Sequence, residues 1–260
     1  MPKLDAQGQI AAAQIAFYVP ITAFTIALIH RYAFRRDAGW LFLCMFSLVR
    51  IAGGALLIAA ELVVPSKIDL FIAAYILQPA GLGLLLLATI GFLGLAGQST
   101  YSENPRVSLY FRFFGFLALV GMVLTIPGGL LGTHVSPKQG QTGMSLRRAS
   151  ACIFAALYVL LFLAHLGSWS YRVQMRTYRF KLLVGLTLAL PFLGVRAAYA
   201  ILSAWSSSDV FGLQPSPNHT LAKFNPVTHW VPLLIMSLIM EYVVTVLYLL
   251  FSTVLARRHS

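Results

Sequence analysis

Charge is scarce in this 260-residue chain. Asp, Glu, Lys and Arg make up only 10% of it, and seven residues are acidic, whereas a soluble domain is about 25% charged. That shortage excludes a water-soluble fold. Cysteine is scarcer still: Cys44 and Cys152 stand alone, in apolar segments and outside any metal-ligand spacing. Both are expected to act as small buried apolar residues. The chain has no glycine-rich phosphate loop, no HExxH and no CxxC, and it lacks an aspartate-rich motif for magnesium diphosphate. Ring-closing chemistry that begins with loss of diphosphate needs metal-binding carboxylates. Any cyclisation here would therefore start by protonation, and neither metal nor cofactor is expected. No gap between apolar runs is long enough for a soluble domain, so residues 1–260 read as one domain. Residues 1–7 are polar and the apolar run after them is long, which predicts a retained helix in place of a cleaved signal peptide.

What is abundant is apolar surface. Hydrophobic residues form 59% of the chain, and the mean hydropathy is +0.81. Seven apolar runs, at 10–30, 40–64, 68–95, 109–131, 149–171, 182–205 and 229–255, are each long enough to cross a bilayer as a helix. The expected fold is all-α, a polytopic bundle of seven transmembrane helices, with polar loops at 133–148 and 206–228. No internal repeat relates the halves, which weighs against an inverted-repeat transporter. The net charge of +12 does not imply nucleic acid, because the basic residues lie mostly in short loops, where they set orientation. With termini and loops taken alternately, eleven basic residues, among them Arg35, Arg36, Arg172, Arg176, Arg257 and Arg258, fall on the C-terminal side and six on the other. The positive-inside rule then places the N-terminus in a lumen and the C-terminus in the cytosol, as for a multi-pass protein of the endoplasmic reticulum. Asn218-His219-Thr220 is a sequon on the lumenal side, which makes Asn218 a candidate glycosylation site. Trp40, Trp169, Trp205 and Trp230 lie at span ends, as interfacial anchors would.

Four charges fall inside spans: Arg50, Glu61, Arg196 and Glu241. A charge at bilayer depth costs at least roughly 2.5 kcal/mol, so such residues face the bundle interior and a partner. Arg50 and Glu61 are eleven residues apart, nearly three turns, on one face and roughly 16 Å apart. Depth along the spans suggests pairing Glu61 with Arg196 and Arg50 with Glu241. Two ion pairs that only hold helices together are one reading; a polar cavity is the other. Burial favours the protonated form of a carboxyl group and a neighbouring arginine favours the carboxylate. A protonated one can act as general acid toward an epoxide oxygen or an alkene, and the residues leave open whether Glu61 or Glu241 does so. Tyr75 and Gln78 share a helical face just before Pro79, where a membrane helix can bend and expose backbone to a cavity. Tyr158 and His165 share another face. Tyr199 is three residues from Arg196, and Tyr242 and Tyr248 follow Glu241. Such aromatics either pack or stabilise positive charge. Gly128 and Gly132 form a small-xxx-small pair suited to close helix contact.

In size, span number and N-terminal orientation, with Arg50 and Glu61 in LVRIAGGALLIAAELVV and Glu241 in IMEYVVTVLYLL, the chain resembles the fungal membrane-bound meroterpenoid terpene cyclases of the ascofuranone and macrophorin type. The resemblance implies an enzyme of secondary metabolism that protonates a terminal epoxide or alkene of a farnesylated aromatic or quinone-like compound and lets the isoprenoid chain close. Site assignments rest on the burial argument: Glu61, Glu241, Arg50 and Arg196 for catalysis, and Tyr75, Gln78, Tyr158, His165, Tyr199 and Tyr248 for substrate. The expected partners are a lipophilic prenylated molecule and membrane lipid, with no nucleic acid and no obligate protein. A seven-span receptor or sensor is the main alternative, although short loops and the tail ARRHS leave it little surface for a signalling partner. A transporter or a structural membrane protein completes the set.

Overall fold

The computed structural model describes residues 6–32, 38–63, 68–97, 100, 105–131, 137–209 and 214–256. The long helices are α1 (Ala6–Tyr32), α2 (Ala38–Leu62), α3 (Ile68–Ala96), α4 (Pro105–Leu130), α5 (Pro137–Trp169) and α6 (Thr177–Trp205). Two short helices, α7 (His219–Ala222) and α8 (Trp230–Leu233), follow. A π-helical segment, Leu234–Ile239, joins α8 to α9 (Met240–Ala256) in one continuous rod. Seven helices are long and apolar enough to cross a membrane, the last running Trp230–Thr253. The chain is thus an all-helical, multi-pass integral membrane protein. Among the described residues the one extended pairing is a bridge between Ser207 and Pro215.

Many large apolar side chains of the outer helices point outward. On α4, Leu109, Phe113, Phe116, Val123 and Leu130 are exposed, while Phe114, Ala118, Gly121, Thr125 and Gly128 are buried at alternating steps of four and three. Bulky residues face lipid and small ones let helices approach, the pattern expected where hydrophobicity alone does not drive association. Phe154 of α5 shows how close the approach is. A Cβ on Gly121 of α4 would stand 2.6 Å from its ring, and one on Gly83 of α3 would stand 3.1 Å from it. Gly128 also lies against α5, at the Arg147 backbone; its partner in the small-residue pair, Gly132, is outside the described residues.

The hub is α3. It packs against α2, α4, α5 and α6, and residues 81–90 are buried without interruption. A helix apolar all round is one that sits inside. Prolines 20, 79, 127 and 191 lie within helices that continue past them.

Several expectations need correction. The stretch 137–148, expected as loop, is the first part of α5. Hydropathy registers lipid burial, not helicity, and here the Thr142 and Ser145 hydroxyls donate back to the Lys138 and Gln141 carbonyls at 3.0 Å. Trp40 is 1% exposed and belongs to the core, not to an interfacial belt. Cys44 is buried as expected, but Cys152 is exposed on the outer face of α5. Of the orientation-setting arginines, Arg35, Arg36, Arg257 and Arg258 lie outside the described residues.

Candidate functional site

The polar centre of the bundle is a single cluster. Glu241, in the first turn of α9, accepts on one oxygen, Oε1, from Arg50 Nη2 of α2 and from Arg196 Nε of α6. Arg50, Arg196 and Glu241 are 4%, 3% and 0% exposed, so the contact is shielded from both lipid and water. The expected Arg50–Glu241 pair is present. Arg196, however, joins the same carboxylate instead of pairing with Glu61. The reason is helix order: α6 packs directly on α9, and Glu61 lies near the end of α2, roughly 16 Å along the helix from Arg50.

Neighbouring helices shape this cluster. Arg50 Nη2 also donates to the Gln78 carbonyl at 3.3 Å, beside Pro79. The guanidinium can lie there because Gly81 has no side chain: a Cβ at Gly81 would stand 3.0 Å from it. Gln14 of α1 donates to the Arg50 carbonyl at 2.6 Å. The guanidinium of Arg50 faces the Phe46 ring at 5.5 Å, and that of Arg196 faces the Tyr199 ring at 6.0 Å. Tyr18 of α1 is buried within electrostatic reach of Arg50, Arg196 and Glu241.

Two clefts adjoin the cluster, both at the end of the bundle where α1 begins and α6 ends. The first has about 730 Å³ of open space, mouth included, between α1, α2, α3 and the last span; Gln14, Arg50, Gly53, Leu57, Tyr75 and Gln78 are among its walls. The second, about 510 Å³, lies between α3, α5 and α6 and takes in Arg147, Ser150, Arg196, Tyr199 and Ser203. Tyr75, Gln78 and Pro226 belong to both. Pro226 lines both clefts and Val227 the first, and this segment is tied to α1 where the Gln7 amide donates to the Val227 carbonyl at 3.1 Å. A larger groove of about 1,430 Å³ runs between α4 and α5, but no charged side chain lines it, so size alone does not pick out the site.

Of the residues expected to take part, Arg50, Arg196, Glu241, Tyr75, Gln78 and Tyr199 come together. Glu61 is half-buried one turn past Leu57 on α2 and lines neither cleft. Tyr158, His165 and Tyr248 line neither cleft. Each instead joins helices: Tyr158 donates to the Leu190 carbonyl at 3.1 Å, His165 Nε2 meets Thr187 Oγ1 at 2.9 Å and accepts from Trp169 Nε1 at 3.1 Å, and Tyr248 meets Thr89 at 2.7 Å. Asn218 is exposed and caps α7, its side chain accepting from Thr220 N at 3.2 Å.

Nothing in the sequence singles out Gln14, Tyr18, Ser237 or Arg147. The first three are uncharged residues in apolar runs, where nothing marks them. Arg147 falls in the stretch expected as loop, yet its guanidinium lies over the Tyr75 ring at 4.9 Å and donates to the Ser203 carbonyl at 3.4 Å.

A family model described as a domain of unknown function, DUF7702, matches residues 4–258. The chain belongs to the DUF7702 family. The match spans α1 to α9, so the family unit is the whole bundle and includes both clefts and the ion cluster. No curated protein and no solved structure matches this DUF7702 chain.

Proposed function

We propose that the protein is an intramembrane, cofactor-independent terpene cyclase of the endoplasmic reticulum. On this reading it acts on a farnesylated aromatic or quinone-like compound, with its N-terminus and Asn218 in the lumen. One observation carries the reading: a buried ion cluster links two adjoining clefts, with Arg50 in the wall of the first, Arg196 in the wall of the second, and Glu241 joining them from behind. Such a site excludes water, which would otherwise capture a carbocation, and its aromatic faces stabilise positive charge.

Roles divide between the two glutamates. Glu241 is engaged by two guanidiniums and positions Arg50 and Arg196. Glu61, one turn beyond Leu57, is the proton donor. Its proton passes to the epoxide oxygen, the carbon–oxygen bond opens, and the π-electrons of the neighbouring alkene form the new carbon–carbon bond. Loss of a proton from the ring cation returns the acid, so product and substrate have the same mass. Tyr75 and Gln78 line the chain's path, and Tyr199 lies beside Arg196 in the second cleft.

The test is expression in microsomes of a host that lacks the reaction, fed a farnesylated aromatic epoxide. A cyclised isomer of unchanged mass, separated by chromatography and solved by NMR, is expected. Glu61→Gln should lower its yield by about 10²-fold or more, in line with the loss of a general acid. Folded wild-type protein that leaves the epoxide untouched contradicts the reading. Full activity in Glu61→Gln removes Glu61 as the acid.

A second reading has one observation in its favour. Two arginines on one carboxylate are a device for binding, and a seven-span receptor or sensor for a lipophilic ligand would use the same clefts without any reaction.

A further inference from the structure

We infer that the clefts take an amphipathic monoanion: a molecule with an anionic head, carboxylate or phenolate, on an apolar chain. The head would be held at the Arg50–Glu241–Arg196 cluster and the chain would run along α2 toward Glu61. The inference rests on the reading that this site holds a lipophilic small molecule, not on ring closure.

Charge balance is the starting point. Two guanidiniums meet a single carboxylate, so the buried cluster holds one positive charge in excess. Arg147 in the wall of the second cleft adds another cation, and Asp209, within electrostatic reach of Tyr75, adds an anion; the excess is unchanged. Glu61 is too far along α2 to offset it directly. An uncompensated charge in a site of low dielectric is strongly unfavourable, and the ligand that corrects it carries one negative charge.

Unused polar atoms supply the second line of argument. Among the described residues, Arg50 Nε, Glu241 Oε2, Ser237 Oγ and Tyr199 Oη are buried and have no hydrogen-bond partner. Buried polar groups are nearly always paired, and a group left over calls for an explanation. Arg50 Nε–H, in the wall of the first cleft, and Tyr199 Oη–H, in the wall of the second, are donors that an anionic head would accept from. Glu241 Oε2 is an acceptor, which a hydroxyl beside the anionic group of the ligand would serve. Ser237 is one turn before Glu241 within the π-helical segment, and such segments are frequent at functional sites.

Geometry gives the length of the ligand. From Arg50 the cleft-facing positions Gly53, Gly54 and Leu57 lead along α2 toward Glu61, roughly 16 Å away, a distance comparable with an extended farnesyl chain. An anionic head at the cluster thus brings the far end of such a chain to Glu61.

Binding can be read without turnover, so a failed ring closure does not touch this test. The probes are 3-farnesyl-4-hydroxybenzoic acid, its neutral primary amide, and oleic acid, titrated calorimetrically into the full-length protein in nanodiscs. The acid should bind at least about tenfold more tightly than the amide, the scale of a charged hydrogen bond kept or lost. Arg196→Gln, which leaves one cation for one anion, should shrink that preference to about twofold or less, whereas Arg196→Lys should keep it. Oleic acid binding as tightly as the farnesylated acid would support the head-group chemistry and identify a membrane fatty acid as the source. Equal affinity of the wild type for acid and amide overturns the inference, whether or not the variants fold. A preference that survives intact in folded Arg196→Gln overturns the assignment to this cluster.

Discussion

At the scale of residues, Glu241 is the hinge of the account. It is the sole acidic partner of Arg50 and Arg196 among the described ion pairs. Removing it leaves two buried cations facing each other, and breaking a buried pair in this way typically costs about 3–5 kcal/mol. Glu241→Gln should therefore lower the midpoint of thermal unfolding markedly in detergent, followed by tryptophan fluorescence. Arg196→Gln leaves Arg50 and Glu241 paired and should be the milder change. An unfolding midpoint for Glu241→Gln equal to the wild type would show that the cluster holds nothing together. Part of this cluster was legible in advance. A charge in an apolar run signals an interior position by its cost alone, and depth was enough to pair Arg50 with Glu241. The second half of the pairing was not legible, because the sequence does not encode which helices are neighbours. Gln14, Tyr18 and Ser237 were invisible for a different reason: an uncharged polar side chain in a membrane helix satisfies itself so readily that its presence there implies little.

At the scale of elements, the last span and α5 carry the lessons. Leu234–Ile239 is π-helical, and it sets the rotation at which Glu241 meets the cluster. Inserting one alanine after Met236 adds a residue beyond the one the π-helical turn absorbs and should turn one side of the rod by about 100° relative to the other. Glu241 would then leave Arg50 and Arg196. The expected outcome is a fall in the unfolding midpoint comparable with Glu241→Gln, and a midpoint unaffected by the insertion would contradict the role given to this segment. A local widening of this kind leaves no trace in hydropathy, since every residue of LIMSLI but Ser237 is apolar. The early turns of α5 were missed on the opposite ground. They are polar and helical, held where Arg147 and Arg148 reach the last carbonyls of α6, at Ser203 and Ala204. Cations suit the C-terminal end of a helix, but the contact is tertiary and cannot be read from a single segment. The spans themselves were legible throughout, because in lipid a long apolar run has to close its backbone hydrogen bonds within itself.

At the scale of the whole molecule, orientation and the working site are the open claims. On the proposed orientation, the face carrying Asn218, the Pro226–Val227 segment and the mouths of both clefts would lie in the lumen. Expressed in a glycosylating host, the protein should lose electrophoretic mass on treatment with an endoglycosidase, and Asn218→Gln should abolish the difference. A tag at the C-terminus that is shielded from protease in sealed microsomes would reverse the orientation. Neither result depends on the chemistry of the clefts.

The central claim is that the first cleft is where the protein works, and a plug tests it most directly. Gly53 lines that cleft, and a Cβ there would meet only Leu77, at 3.8 Å, so there is room for a side chain to grow into the space. Gly167, open on the α4–α5 groove, provides the matched control. Turnover of a farnesylated epoxide by Gly53→Leu should fall at least about tenfold, a barrier increase of about 1.4 kcal/mol, with the unfolding midpoint retained, while Gly167→Leu should match the wild type. Wild-type turnover in Gly53→Leu would contradict the account, because a blocked cleft cannot be the site of the reaction.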